Sequence, residues 1–360
     1  MELKAIAAAF EIKGNITDIQ KITMGHINET HKISCDMGTD YILQKINTGI
    51  FKDPYALTEN ILAVTEHLGK TVLARGGDRE REAMTLVPLK NGGYLFENDG
   101  AFYRMYICIS NATCYNSAEI KGLFKSSARA FGRFQTLLSD FPAERLHETI
   151  PMFHNTPKRM RDLEASVKAN ASGRLSECMG EVGFFYARRD FCSRIVSKLG
   201  SGELPMRVTH NDTKLNNVMI DNDTHEGICV IDLDTVMPGS VLYDFGDSIR
   251  FGASTAAEDE KDLSKVSMSL DLFEEYVDGF ISEAGSSLTE LELDMLPIGA
   301  IMMTLECGMR FLADHIDGDK YFSLHYEGQN LDRARTQIKL VSDMEHKIGA
   351  MQAIVRKYRG

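Results

Sequence analysis

No uninterrupted apolar run in this 360-residue chain reaches the roughly 20 residues that a membrane span needs, so a membrane protein is not expected. The seven cysteines (Cys35, Cys108, Cys114, Cys178, Cys192, Cys229 and Cys307) are odd in number and scattered, without a Cys-x-x-Cys pair. That argues against a disulfide framework or a zinc site and for a reducing compartment. Positive charge is outnumbered, 40 Lys and Arg against 52 Asp and Glu, for a formal net charge of -12. Such a chain is a poor non-specific binder of nucleic acid or anionic membrane, and neither is an expected partner. No repeat or low-complexity segment occurs, and no Cys-x-Pro-x-Arg or Ser-x-Pro-x-Arg run marks a sulfatase nucleophile. Gly69–Lys70–Thr71 is no Walker A loop, because Val64 stands where glycine is required. Residues 1–13 have the apolar spacing of an amphipathic helix rather than a signal peptide, and the cytoplasm is the expected location.

The length exceeds what one hydrophobic core usually supports, which predicts two lobes. Residues 1–108 read as a strand-rich lobe. Ile16–Thr23, Glu29–Cys35 and Tyr41–Ile46 are β-prone runs separated by turn-rich segments, as in an antiparallel meander. Asp53–Pro54 starts a helix, with Leu57, Ile61, Val64 and Leu68 at helical spacing. The charge run 78–82 reads as a solvated loop. Met84–Phe96 and Ala101–Ile109 read as two more strands, and an extended connector is expected near Met105–Tyr106–Ile107. Residues 109–360 then turn helical. Helices are expected from a capping box at 116–119, over 181–199, from Ser287–Glu290 to Asp314, and over 329–357. The fold class is α+β.

The chemistry concentrates in 207–254. Val208–Thr209 leads into His210-x-Asp212, and Asn217 follows five residues after the aspartate. Val218–Asp221 and Ile228–Asp232 read as a β-hairpin around a polar turn. A symmetric six-residue turn places Asn217 directly opposite Asp232, with Cβ atoms ~5 Å apart. An amide oxygen and a carboxylate would then meet where Mg²⁺ could also hold substrate phosphates. Asp234, of the same strand parity, points the same way on this reading. Asp212 precedes that open end and can accept the proton of a substrate hydroxyl. A loop base, an asparagine five residues on and a later aspartate for metal are the parts of a phosphoryl-transfer site using ATP and Mg²⁺.

Other features are weaker. Asp244–Phe245–Gly246 copies a kinase metal-binding tripeptide but follows Asn217 too late, so Asp244 reads as a helix cap. Asp247 and Phe251 divide evenly between a cleft and a structural role. Gly25–His26–Ile27–Asn28 sits in a strand turn that could cover nucleotide phosphates. The next strand should bring a cation to them, yet it carries Gln44, with Lys45 adjacent but of opposite parity. Glu59 is the helix partner such a cation would use, although an exposed glutamate is the simpler reading. Glu306, Arg310 and Asp314 are spaced by four, either as a surface ladder or with Arg310 reaching substrate from an apolar helix. Tyr321 and Phe322 could stack on a sugar face or pack in the core.

At Val208–Asn217 the chain resembles the aminoglycoside phosphotransferase-like kinases, and more closely the N-acetylhexosamine 1-kinases. Gly-His-Ile-Asn at 25–28, Tyr-Ile-Leu-Gln at 41–44 and Ile-Asp-Leu-Asp-Thr-Val-Met-Pro-Gly-Ser at 231–240 carry the similarity. So do Asp-Phe-Gly-Asp-Ser at 244–248, Arg-Phe-Gly-Ala-Ser at 250–254 and Glu-Cys-Gly-Met-Arg-Phe-Leu-Ala-Asp at 306–314. The resemblance implies a bilobal protein-kinase-like fold, Mg-ATP, and phosphorylation of the anomeric hydroxyl of N-acetylglucosamine or N-acetylgalactosamine. It implies Asp212 as base and Asn217 and Asp232 as metal ligands. His26, Asp232, Asp234, Phe251, Arg310 and Tyr321 would contact the sugar. Gly25, Gln44, Lys45, Met105 and Tyr106 would contact the nucleotide. The departure from the wider kinase pattern is Gln44 at the usual lysine position. Two alternatives stay open: a kinase for another small alcohol or aminoglycoside, and a non-catalytic nucleotide-binding protein, suggested by the missing lysine. The oligomeric state is not legible.

Overall fold

Period-two alternation builds the sheet. In the computed structural model, residues 2–23, 27–116 and 120–359 are described. β1 (Ile16–Ile22), β2 (Glu29–Cys35) and β3 (Tyr41–Lys45) form the expected antiparallel meander. β3 pairs with β5 (Ala101–Ile107), and β5 with β4 (Phe96–Asn98), in the order β1-β2-β3-β5-β4. Ile33, Cys35, Tyr41, Leu43 and Met105 share one core with Ile6, Phe10, Val87 and Leu89. The opposite parity carries polar groups. Thr30 faces Gln44 and Gln44 faces Arg104 in the ladders, so the three form one row across β2, β3 and β5.

Helix α1 (Leu3–Ala7) precedes the sheet, and α2 (Pro54–Ala74) begins where Asp53–Pro54 indicates. The Asp53 carboxylate accepts from Tyr55 N and Ala56 N, which stabilises the helix start by about 1 kcal/mol. The charge run folds as one helical turn, α3 (Arg79–Glu82), rather than an open loop. Asp78 caps it, and Arg81 Nη2 lies 2.7 Å from Asp221. Residues 84–94 contribute isolated bridges at Leu86–Tyr106 and Phe10–Leu89 rather than a full strand. Met105 and Tyr106 lie inside β5, not in a connector. Met105 pairs with Leu43 on one side, and its carbonyl accepts from Val87 N at 2.8 Å on the other.

By internal contacts the chain divides into two interleaved units. The first comprises Met1–Cys114, Leu137–Pro151 and Asn217–Pro238; the second Tyr115–Thr136, Met152–Asn216 and Gly239–Gly360. The sequence boundary at 108/109 put the hairpin after Asn217 with the helices. It groups with the sheet-containing unit, because β6 (Ala112–Thr113) pairs with β8 (Val218–Asp221), which pairs with β9 (Gly227–Val230).

The second unit holds α4 (Leu123–Leu137), α5 (Thr156–Ala169), α6 (Met179–Tyr186), α7 (Arg194–Ser201), the short strand β7 (Arg207–Thr209), α8 (Val241–Gly252), α9 (Leu270–Ala284), α10 (Glu290–Asp317) and α11 (Gln329–Tyr358). The helix expected over 181–199 is thus two helices around a 3-10 turn at Asp190–Ser193. The expected capping box at 116–119 falls in part outside the described residues. Thr289 and Glu292 form a reciprocal capping box for α10. That helix is long and apolar enough to cross a membrane by length and composition, but 83% of its apolar window is buried inside the protein, where α8, α11 and α5 pack on it. Its closest approach to α8 needs two glycines. A Cβ on Gly246 would meet Gly299 O, and one on Gly299 would meet Leu242 O at 2.5 Å.

Candidate active site

In the second unit, β7 delivers the buried His210, and Asn211 follows with a left-handed φ of 64°. What holds this loop is Asp244. Its carboxylate accepts from His210 N (2.9 Å), Asn211 N (2.7 Å) and Gln135 Nε2 (2.8 Å). Thr213 Oγ1 donates to the Asp244 carbonyl at 2.5 Å, and Ser248 Oγ to the Thr213 carbonyl at 2.8 Å. Burial raises the Asp244 pKa above the usual carboxylate range, although His210 and the two backbone N–H groups pull it down. Asp244 is therefore not a helix cap. Ser240 caps α8, its Oγ accepting from Leu242 N. Phe245 is fully buried among the rings of Phe273, Tyr276 and Phe280. With Gly246 at the helix crossing, all three residues of the kinase-like tripeptide have structural work.

Asp212, with its side chain 22% exposed, meets Lys214 Nζ at 2.7 Å. Burial lowers the Lys214 pKa, but the charges of Asp212 and Asp247 outweigh it and hold the ammonium above its ordinary value. Asp247 is in turn paired with Arg250 at 2.9 Å, and Arg250 with Glu258 at 2.7 Å. The base candidate thus begins a run of alternating charges, Asp212–Lys214–Asp247–Arg250–Glu258. Behind the loop, His154 Nδ1 is 2.8 Å from Glu306, and His154 Nε2 is 3.3 Å from the Asn211 carbonyl. Thr156 Oγ1 donates to Glu306 at 2.7 Å. Burial raises the Glu306 pKa, but His154, Thr156 and Arg310 overcome this and bring it below the ordinary value. His154, Lys214 and Gln135 were not singled out from sequence. Lys214 alone had a local signal, two residues after the base.

The 306–310–314 ladder is not a surface feature. Glu306 serves His154. Buried Asp314 accepts from the backbone N of Lys320, Tyr321 and Phe322 at 2.8–2.9 Å and from Asn330. It thereby holds the segment that presents Tyr321, 67% exposed. The Arg310 guanidinium stands 5.5–5.9 Å from the ring centroids of Phe153, Tyr321 and Phe322. Phe251 is 38% exposed at the end of α8.

In the first unit, the hairpin register differs by one from the symmetric expectation. Val218 pairs with Val230 and Met219 with Cys229, and Ile231 N donates to the Asn217 carbonyl at 2.9 Å. Asn217 therefore faces Ile231, and Asp232 lies one step beyond: the turn leaves Ile220 opposite Gly227, two positions short of the symmetric register, and the shift between Met219 and Ile220 recovers one of them. Asp232 adopts a left-handed φ of 61° and opens a 3-10 turn at Leu233–Thr235, so strand parity does not relate it to Asp234. The amide oxygen of Asn217 and the carboxylate of Asp232 are hard donors of the kind Mg²⁺ takes when it keeps waters and phosphate oxygens. Among the described residues no cluster of three His, Cys, Asp or Glu side chains accompanies them.

Asp234 is buried, and its carboxylate is engaged. Oδ2 accepts from Asn28 Nδ2 at 2.5 Å, and Oδ1 stands 2.5 Å from Arg104 Nη2, a charge contact too poorly angled for a hydrogen bond. Arg104 Nε and Nη2 also donate to Gln44 Oε1 at 3.1 and 2.8 Å, and Gln44 Nε2 donates to Thr30 Oγ1 at 3.3 Å. Lys45 is exposed, and Glu59 is turned outward to His147 at 2.8 Å. Gly25 and His26 lie outside the described residues.

The chain matches the profile of the phosphotransferase enzyme family over residues 18–264. Its structure is similar to that of a microcompartment-associated aminopropanol kinase (TM-score 0.62, 16% identity, covering 97% of each chain). It is also similar to amicoumacin kinase hAmiN in complex with AMP-PNP, Ca²⁺ and Ami (TM-score 0.62, 14% identity, 95% of this chain and 92% of that one). A choline kinase from Cryptosporidium parvum Iowa II matches with TM-score 0.56 and 14% identity over 96% and 93% of the two chains. The fold is accordingly the kinase-like one, with a sheet-containing N-terminal part and a helical C-terminal part.

Proposed function

The chain belongs to the phosphotransferase enzyme family, and we propose that it uses Mg-ATP to phosphorylate the anomeric hydroxyl of an N-acetylhexosamine. Asp212 accepts the hydroxyl proton as the sugar oxygen bonds to the γ-phosphorus. The bond from that phosphorus to the β–γ bridging oxygen breaks, and ADP leaves. A hemiacetal hydroxyl is more acidic than an ordinary alcohol, so a carboxylate of modest basicity can assist it. Lys214, beside Asp212, offers a cation to the transferring phosphoryl group. Asn217 and Asp232 would hold Mg²⁺, which would supply neutralisation of the phosphate charge. His26, Asp232, Asp234, Phe251, Arg310 and Tyr321 are the residues assigned to the sugar. Gly25, Gln44 and Tyr106 are assigned to the nucleotide, whereas Met105 packs in the sheet's core beside Leu43 and Lys45 has the strand parity opposite to Gln44.

The observation that carries the sugar reading is the fate of the acidic residues. A site for a cationic aminoglycoside or amino alcohol should be lined with available carboxylates. Here Asp234 is engaged by Asn28 and Arg104, Asp244 by the loop, Asp247 by Arg250, and Asp314 by three backbone N–H groups. The side chain placed among the rings of Phe153, Tyr321 and Phe322 is the cation Arg310. An arginine beside one exposed and two half-buried aromatic rings suits a neutral, oxygen-rich sugar with an N-acetyl carbonyl.

ADP release across a panel of N-acetylhexosamines, aminoglycosides and amino alcohols tests this. N-acetylhexosamine turnover should dominate, and Asp212→Asn should lower kcat by about 10²–10⁴-fold, the usual worth of a general base. Turnover confined to cationic acceptors would overturn the substrate assignment. Near-parental kcat in Asp212→Asn would overturn the base.

A further inference from the structure

A nucleotide kinase ordinarily carries a lysine on β3, oriented by a helix glutamate and directed at the α/β-phosphates. Neither half of that pair is in place here. Gln44 holds the strand position, Lys45 is exposed, and Glu59 faces outward to His147. We propose that Arg104 is the phosphate-binding cation of this chain, acting from β5 in place of the lysine missing from β3. The inference rests on the nucleotide reading given above.

Four observations carry it. Arg104 is the direct cross-strand partner of Gln44, so its side chain leaves the sheet on the same face, one strand away. It is held as the usual lysine is held, by an acid: Asp234 takes the part of the helix glutamate. Gln44 Oε1 receives both Nε and Nη2, which fixes the plane of the guanidinium. Gln44 is therefore the second half of a coupled replacement, since a lysine there would set two cations side by side, whereas an amide oxygen accepts from the arginine. Last, Arg104 Nη1 has no partner although the residue is 1% exposed. An unsatisfied buried donor is costly, and a phosphate oxygen is the acceptor a nucleotide would bring. Arginine suits this depth because it stays charged where a lysine readily loses its proton.

Arg104→Gln alone would leave Asp234 buried without its counter-ion. The informative variant is therefore Arg104→Gln with Asp234→Asn, which removes both charges. Calorimetry on the full chain would compare ADP with adenosine, which shares the base and sugar but has no phosphate. The pair variant should bind ADP about 10- to 100-fold more weakly, the worth of a hydrogen bond to a charged group, while adenosine binding stays at the parental level. Adding Gln44→Lys to the pair variant should recover most of the ADP affinity. Should the pair variant not fold, Arg104→Lys keeps the charge without the fork and should give a smaller loss confined to ADP. Parental ADP affinity in a folded variant, or equal weakening of ADP and adenosine, overturns the inference and leaves the nucleotide reading standing. A parent protein that binds no ADP overturns both.

Discussion

Replacing Asp244 by asparagine separates two accounts of the kinase-like tripeptide. The carboxylate accepts three hydrogen bonds, from His210 N, Asn211 N and Gln135 Nε2, within 2.7–2.9 Å. Asparagine keeps one acceptor oxygen and turns an NH₂ group towards a donor, so at least one buried N–H loses its partner at about 1–3 kcal/mol. The surviving bonds lose their charge assistance, roughly 1 kcal/mol more. Burial, which raises the Asp244 pKa, returns part of this when the charge is removed. A net loss of about 1–3 kcal/mol, at roughly 2–4 °C per kcal/mol for a unit of this size, predicts a Tm lower by roughly 2–12 °C. Thermal unfolding by circular dichroism measures it. Turnover below the melting range should fall by a factor that added Mg²⁺ does not recover, because the loop backbone has loosened. The reasoning is refuted if Asp244→Asn melts with the parent protein while its activity is lost and then returns as Mg²⁺ is raised. Asp244 would then be a metal ligand.

Glu306 has its pKa brought below the ordinary value, so its ionised form adds stability that is present above pH 4.5 and is lost as pH falls through the folded-state value. Denaturant titrations should therefore show Glu306→Gln less stable than the parent at pH 7, with the gap closing towards pH 3; a gap that widens in acid would contradict the assignment. Arg310→Ala should raise KM for the sugar at least tenfold while KM for ATP changes little, as expected for a lost polar contact worth about 1.5–3 kcal/mol. The opposite split would remove Arg310 from the acceptor pocket.

The sequence made legible whatever was local. The meander, the Asp53 cap, the helical second part and the run from His210 to Asn217 are written in neighbouring residues. What it hid depends on distant partners. Glu306 meets His154 across 152 positions, and Asp244 reaches Asn211 across 33, so spacing within one helix suggested a ladder and a cap instead. The hairpin arithmetic failed by one residue because the turn is not symmetric. His225 takes a left-handed φ of 59° and its N–H donates to the Asp221 carbonyl, which leaves Ile220 opposite Gly227, and the shift next to Ile220 recovers only half of that offset. Gln44 looked like a missing charge because strand β3 was read alone. Arg104 lies 60 residues on and becomes its neighbour only when β3 pairs with β5.

The central claim is that Asp212 serves phosphoryl transfer to the anomeric oxygen of an N-acetylhexosamine. ³¹P NMR of the protein incubated with N-acetylglucosamine or N-acetylgalactosamine and Mg-ATP tests it directly. The account predicts ADP together with a new phosphomonoester resonance coupled to the anomeric proton. A phosphomonoester coupled to any other sugar proton, or no new resonance with either sugar, would contradict it.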